Sequence, residues 1–338
     1  MQTSSLKQQS LPPGKAARRS RKGKAAPGPS QSSGFFSKAE FRKYIRYKYL
    51  VLMFLPAVVF FILFSYIPMY GITLAFKDFK VMEGIMGSPW IGFANFELLF
   101  GTPSFLRILC NTLIISSWKF VLGFIAPVIL ALLINEIECK WFKRAVQSIS
   151  YLPHFVSWVI LTSIFMNLLS PSSGPVNILL KALGFEPIFF LGDENWIRPV
   201  LIATSVWKDM GWGTVVYLAA ISSINPELYE AAYLDGASRW RRMWHITLPG
   251  IAPTVTILLI LGSRGIISDD FDQIYNMANN AAVLPKAEVI ATYTYKVGLQ
   301  DLRYSYSTAV NLFTNVVGLI LVLVTNKISK LVNDYGIW

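Results

Sequence analysis

Charge set inside apolar sequence marks the places where this chain could do chemistry. Lys119 falls in the middle of one long apolar run, and Lys208 and Asp209 stand side by side in another. Arg264 lies late in a third, with Asp269, Asp270 and Asp272 just beyond it. Ionised groups at such positions are costly in hydrocarbon and face a cavity or a partner. Two readings stand for Lys119, Lys208 and Asp209: they pair among helices and hold a bundle together, or they line a polar path. The three aspartates read as the solvated start of a loop. Bond-making chemistry finds little support. His154 and His245 are far apart, and Cys110 and Cys139 carry neither a disulfide framework nor metal-ligand spacing. No Ser–His–Asp set or paired carboxylates can be placed together, and no G-x-x-x-x-G-K-[ST] phosphate loop occurs.

The elements that must carry these residues are membrane helices. The chain has 338 residues, of which 54% are hydrophobic and only 15% charged, whereas soluble domains carry about a quarter charged residues. Runs of the length needed to cross a bilayer predict six spans: Tyr49–Tyr66, Ile108–Leu133, Ala145–Leu169, Val200–Ile221, Ile251–Ile267 and Thr308–Val324. The formal net charge of +12 resides almost wholly in residues 1 to 48, which hold twelve Lys or Arg and one acid. No basic face is left to grip nucleic acid. Residues 1–38, rich in Ser, Gly, Pro, Lys and Arg, read as a disordered tail, and 39–48 as an interfacial segment. Residues 49–338 form the membrane domain. Lys140, Lys143 and Arg144, then Arg239, Arg241 and Arg242, then Lys327 and Lys330 alternate correctly with the tail. The positive-inside rule therefore puts both termini in the cytoplasm. The loop Ser268–Ser307 falls outside and is expected to hold a short helix, best placed at Glu288–Tyr295.

The most patterned stretch, ELYEAAYLDGASRWRRMWHITLP from Glu227 to Pro249, sits in the cytoplasmic loop 224–249. Asn225 suits an N-cap and Pro226 the first helical position. A helix over Glu227–Leu234 should end at Gly236 in the left-handed region. Ser238 caps a second short helix, Arg239–Ile246, and Pro249 opens the fifth span. Ala231 and Ala232 permit close approach of another surface, and Glu230 offers a charge to a basic partner. Such a hairpin is a docking helix or an interfacial loop without a partner.

This stretch also resembles a known motif. Glu230, Ala231 and Ala232, then Gly236, then Ile246, Leu248 and Pro249 keep the spacing of the EAA loop in permease subunits of binding-protein-dependent ABC importers. YLAAISSINPELYEAAYLDGAS is similar to the maltose-type sugar branch. Phe271–Leu299 and the terminal NDYGIW resemble a subgroup handling polysaccharide-derived oligosaccharides. The resemblance implies an all-α membrane protein of six transmembrane helices with the type I ABC importer permease fold. It implies that Glu230, Ala231, Ala232, Asp235, Gly236, Ile246, Leu248 and Pro249 couple to a separate ATPase dimer, which binds ATP and Mg, so this chain holds no cofactor and is not itself an enzyme. It also implies a second homologous permease subunit, an extracytoplasmic sugar-binding protein, an oligosaccharide substrate and a place in the cytoplasmic membrane. For such a substrate Lys119, Trp207, Lys208, Asp209, Trp212 and Arg264 are the candidate path residues. Carbohydrate C–H faces stack on flat rings, although Trp also anchors helices at bilayer interfaces. Charges in the path suit an acidic sugar such as a uronate oligomer. A stand-alone secondary transporter is the alternative, but it usually shows a repeat with broken helices in both halves, and no second hairpin copy is seen. An integral membrane transferase would need acids or histidines gathered at one face.

Overall fold

A computed structural model describes residues 47–333, 336 and 337. The expected tail (1–38) and all but the end of the interfacial segment (39–48) lie outside the described residues, as does part of the C-terminal NDYGIW. Among the described residues the structure is helical, and the only extended pairing is an isolated bridge between Lys77 and Trp90. Two units are distinguished, Met1–Tyr66 and Ile67–Trp338. The first contains α1 (Lys48–Phe61) and a π turn, Ile62–Tyr66. Leu50, Met53, Phe54 and Phe60 are all exposed. A helix apolar all round requires lipid or protein against it.

In the second unit the long helices are α2 (Pro103–Asn135), the bent pair α3 (Lys140–Tyr151) and α4 (Trp158–Leu168), and α5 (Ile197–Ser222). There follow α6 (Pro226–Leu234), α7 (Leu248–Gly262), the cap helices α8 (Phe271–Met277) and α9 (Ile290–Tyr295), and α10 (Tyr304–Asn333). Pro103 opens α2 at a position where its missing N–H costs nothing. Among the described residues four stretches are long and apolar enough to cross a membrane: Lys48–Phe76, Pro103–Asn135, Arg239–Ile266 and Tyr304–Val332. The bent pair Lys140–Phe155 and Trp158–Leu168 makes a fifth if counted as one span. At 26 residues α5 has the length, but Lys208 and Asp209 in its middle lower its hydropathy.

Two expected spans are corrected. The third, Ala145–Leu169, is not continuous: its halves meet at 104°. Pro153 sits in a 3-10 turn, Val156 is extended, and Ser157 starts a new helix by accepting the Ile160 N–H. The proline removes a helical donor and the serine cap supplies a fresh start. The fifth does not begin at Pro249. Helix runs unbroken from Arg239 to Ile266, through a π turn at Met243–Thr247 directly before α7. Pro249 cannot bond back to the His245 carbonyl, and the π turn, a rare irregularity in α-helices, falls just before it. The short helix expected in the loop 268–307 is present at Ile290–Tyr295, starting after Glu288 and Val289, with Phe271–Met277 and Leu284–Ala287 beside it.

Three apolar cores hold the unit. One joins Ile115 of α2, Trp158 and Leu161 of α4, Leu201 of α5 and Ile274 and Met277 of α8. A second joins Phe105 and Ile108 to Ile267, Ile290 and Val310. The third, at the hairpin end, joins Ala131, Tyr217, Ile221 and Ile251. Glycines let α5 approach its neighbours: a Cβ at Gly211 would overlap the Ser150 backbone carbonyl, and one at Gly213 would press on Pro127. Small residues at helix crossings are the usual means of close packing in membranes. Gly211→Ala should therefore cost about 1–3 kcal/mol through overpacking. It is read as a lowered melting temperature in detergent, whereas Gly123→Ala, where a Cβ meets nothing within 4 Å, should be neutral.

Candidate functional site

The hairpin 224–249 is built locally. The Asn225 side-chain oxygen accepts the Glu227 N–H at 3.1 Å, with Pro226 at the first helical position. At the far end the Gly236 N–H reaches the Tyr233 carbonyl at 3.0 Å and the Ala237 N–H the Ala232 carbonyl at 2.9 Å. This double closure needs a left-handed residue, and Gly236 has φ +73°. Ser238 accepts the Arg241 N–H at 3.4 Å. Two contacts mount α6 on the following long helix: the Tyr229 and Thr247 hydroxyls lie 2.9 Å apart, and the Arg242 guanidinium sits 5.8 Å from the Tyr233 ring centre. Arg239 also donates to Glu138 at 2.5 Å, an exposed ion pair. Leu248 packs on the third core, while Glu230, Ala231, Asp235, Gly236 and Pro249 are exposed and Ala232 and Ile246 half-buried. Leu228, Tyr233, Leu234, Trp240 and Trp244 are exposed as well. An apolar patch of this kind on a rigid mount is what a docking surface requires.

Between the cores lies a cavity of about 410 Å³, lined by Ser116, Lys119, Ser205, Asp209, Tyr217 and Asp269, among others. Of the six expected path residues, Lys119 and Asp209 line it; Trp207, Lys208, Trp212 and Arg264 do not. Lys119 donates to Asp269 at 2.6 Å and to the Gln273 side-chain oxygen. The Asp269 side chain is only 2% exposed, which corrects its reading as a solvated loop start. Charge at that depth is tolerated because Lys119 answers it. Asp270 caps α8 and accepts the Trp158 indole N–H at 2.5 Å. Gln273, wholly buried, donates to the Leu201 carbonyl at 2.7 Å and the Thr204 hydroxyl at 2.9 Å. One polar network thus ties α2, α4, α5 and α8 around the bent span.

Lys208 and Asp209 do not pair with each other. Lys208 turns into the break of the bent span and donates to the His154 carbonyl at 2.9 Å, its ammonium 5.4 Å from the Trp158 ring centre. Asp209 lies 2.9 Å from His154 Nδ1, and His154 stacks on Trp212 with ring centres 4.9 Å apart. Trp207 meets Phe165 edge to face. Arg264 donates to Asn315 at 2.9 Å. Asp269, Asp270, Gln273 and His154 were not among the expected site residues. A three-aspartate cluster at the end of an apolar run was the available signal for the first two.

The model of the family described as binding-protein-dependent transport system inner membrane component matches residues 119–335. The polygalacturonan/rhamnogalacturonan transport system permease protein of Bacillus subtilis (strain 168) is 44% identical over 296 residues, 88% of this chain and 92% of that protein. A chain in the crystal structure of a bacterial ABC transporter involved in import of the acidic polysaccharide alginate superposes with a TM-score of 0.81. It is 40% identical and covers 88% of this chain and 100% of its own. The same holds, with a TM-score of 0.80, for the alginate transporter in complex with alginate pentasaccharide-bound periplasmic protein, which covers 88% of this chain and 99% of its own. The resemblance read from the EAA spacing is borne out: the chain belongs to the family of inner membrane components of binding-protein-dependent transport systems and is a permease subunit.

Proposed function

We propose that this permease moves oligosaccharides, acidic and polysaccharide-derived, into the cytoplasm by alternating access, driven by a separate ATPase docked on the hairpin 224–249. The observation that carries the reading is the hairpin itself. It is a capped helix with an exposed Glu230 and apolar surface, mounted on the long helix Arg239–Ile266. A push on α6 reaches the membrane helix through the turn Asp235–Ser238 and through the Tyr229–Thr247 and Arg242–Tyr233 contacts. The relatives concerned with polygalacturonan and alginate support an acidic substrate.

In this reading α1, α2, the bent pair, α5, the helix containing α7, and α10 are six spans, with both termini in the cytoplasm and the cap 268–303 outside. A second permease subunit closes the cavity around Lys119 and Asp209, two ATPase subunits bind ATP and Mg, and an extracytoplasmic protein delivers the sugar. Trp207, Lys208, Trp212 and Arg264 then act by supporting the bundle rather than by touching substrate. Deletion of the gene should abolish uptake of radiolabelled tri-galacturonate by the native cell, with recovery from a plasmid copy. Uptake of neutral oligosaccharides alone would sink the acidic assignment.

A further inference from the structure

Phe271–Leu299, the stretch set apart by its resemblance to one subgroup, folds into the cap and encloses a second cavity. Its volume is about 120 Å³, it is open to one side, and its lining includes Tyr275, Asn279, Glu288, Tyr295, Lys296 and Gln300. In the larger cavity Lys119, Asp209 and one oxygen each of Asp269 and Asp270 are held by other side chains, whereas the second Asp269 oxygen and the Ser116 hydroxyl are buried without a partner among the described residues. The cap cavity is different: among the described residues none of those six polar side chains has a hydrogen-bond or ion-pair partner within the chain. Asn279, Lys296 and Gln300 are exposed and Tyr275, Glu288 and Tyr295 half-buried, so all six are free to meet a ligand that enters the hollow.

The hollow also has a preassembled aromatic wall. Phe271 stacks on Tyr275 at 5.1 Å, and Tyr295 closes the cluster at 5.0 Å from Phe271 and 5.5 Å from Tyr275. Burial pushes the Glu288 carboxyl above the usual carboxylate range, against the opposing pull of Lys296 and Arg107. A neighbouring cavity of about 300 Å³ shares Asn279 and adds Ser170, Phe189, Asn276 and Asn280. Amides carry donor and acceptor on one group and match sugar hydroxyls. An aromatic wall matches a ring's C–H face, and an ammonium matches a carboxylate.

We propose that the cap cavity is a binding subsite for one sugar unit, a uronate ring by preference. Lys296 meets the carboxylate, Asn279 and Gln300 meet hydroxyls, and the Tyr275–Tyr295 wall lies under the ring. The proposal rests on the saccharide reading above and on the cap facing outward, where an arriving sugar first meets the chain.

The test uses the assembled transporter in lipid nanodiscs without its binding protein, titrated with tri-galacturonate and with neutral galactotriose by saturation-transfer NMR and calorimetry. Asn279 and Lys296 are exposed, so Asn279→Ala and Lys296→Ala leave the fold intact. Each should weaken tri-galacturonate binding about tenfold, the effect of one lost charge-assisted or amide contact. Lys296→Ala should also erase the preference over galactotriose. Equal affinity in wild type and both variants, with cellular uptake of labelled tri-galacturonate normal, overturns the subsite and leaves the transport reading standing. Normal sugar affinity with lost stimulation of ATP hydrolysis by the binding protein would make the hollow a protein contact and overturn the proposal. Cells that take up neither probe overturn the saccharide reading and the subsite together.

Discussion

Glu230→Ala is expected to cut ATP-driven uptake about a hundredfold while the chain stays in the membrane at wild-type level. Glu230 is exposed and unpaired within the described residues of the chain, so its loss removes nothing from the permease fold. Docking an ATPase would bury it against basic groups, and truncating one side of a buried interfacial charge pair costs about 2–5 kcal/mol. At about 1.4 kcal/mol per factor of ten, a hundredfold loss lies within that range. Gly236→Val should be as damaging by another route. Space is not the issue, since nothing lies within 4 Å of a Cβ there. A β-branched residue resists φ +73°, so the helix end must open and α6 must lose its orientation. Uptake and ATPase retention, measured together, separate these effects from simple misfolding. Full uptake in both variants would remove the hairpin from the mechanism.

Lys119→Met should lower the melting temperature of the purified chain on the order of 10 °C, as expected for about 3–5 kcal/mol lost when a buried pair is broken. The lysine is 10% exposed and Asp269 only 2%, and the second Asp269 oxygen already lacks a partner. Removing the ammonium strands the carboxylate and frees Gln273, so α2, α5 and the cap lose their common tie. Lys119→Met with Asp269→Leu should recover most of the stability, because replacing both charges by apolar groups is often neutral. If the single variant melts with wild type, the pair is solvated and the network is not a structural tie.

The hairpin was legible because everything that shapes it is local. Asn225, Pro226, Gly236 and Ser238 each act within a few residues of themselves, and the structure realises each one. The break in the third span was not, since Pro153 lies in an apolar run and membrane helices tolerate proline; the turn to extended backbone at Val156 leaves no mark in composition. Burial of Asp269 depends on Lys119, 150 positions away, and no periodicity connects the two. Lys208 and Asp209 are adjacent in sequence but hold different partners. Successive residues on a helix point about 100° apart, so one enters the break while the other faces the cavity.

The most direct test is affinity purification of the tagged full chain from its native membrane in mild detergent, with all co-purifying proteins identified, beside the same preparation of Glu230→Ala. A docking hairpin predicts recovery of a second permease and an ATPase with the wild-type chain, and loss of the ATPase but not the permease with the variant. Recovery of the chain alone or only with itself, with the variant indistinguishable, would contradict the account and leave the hairpin an unpartnered loop.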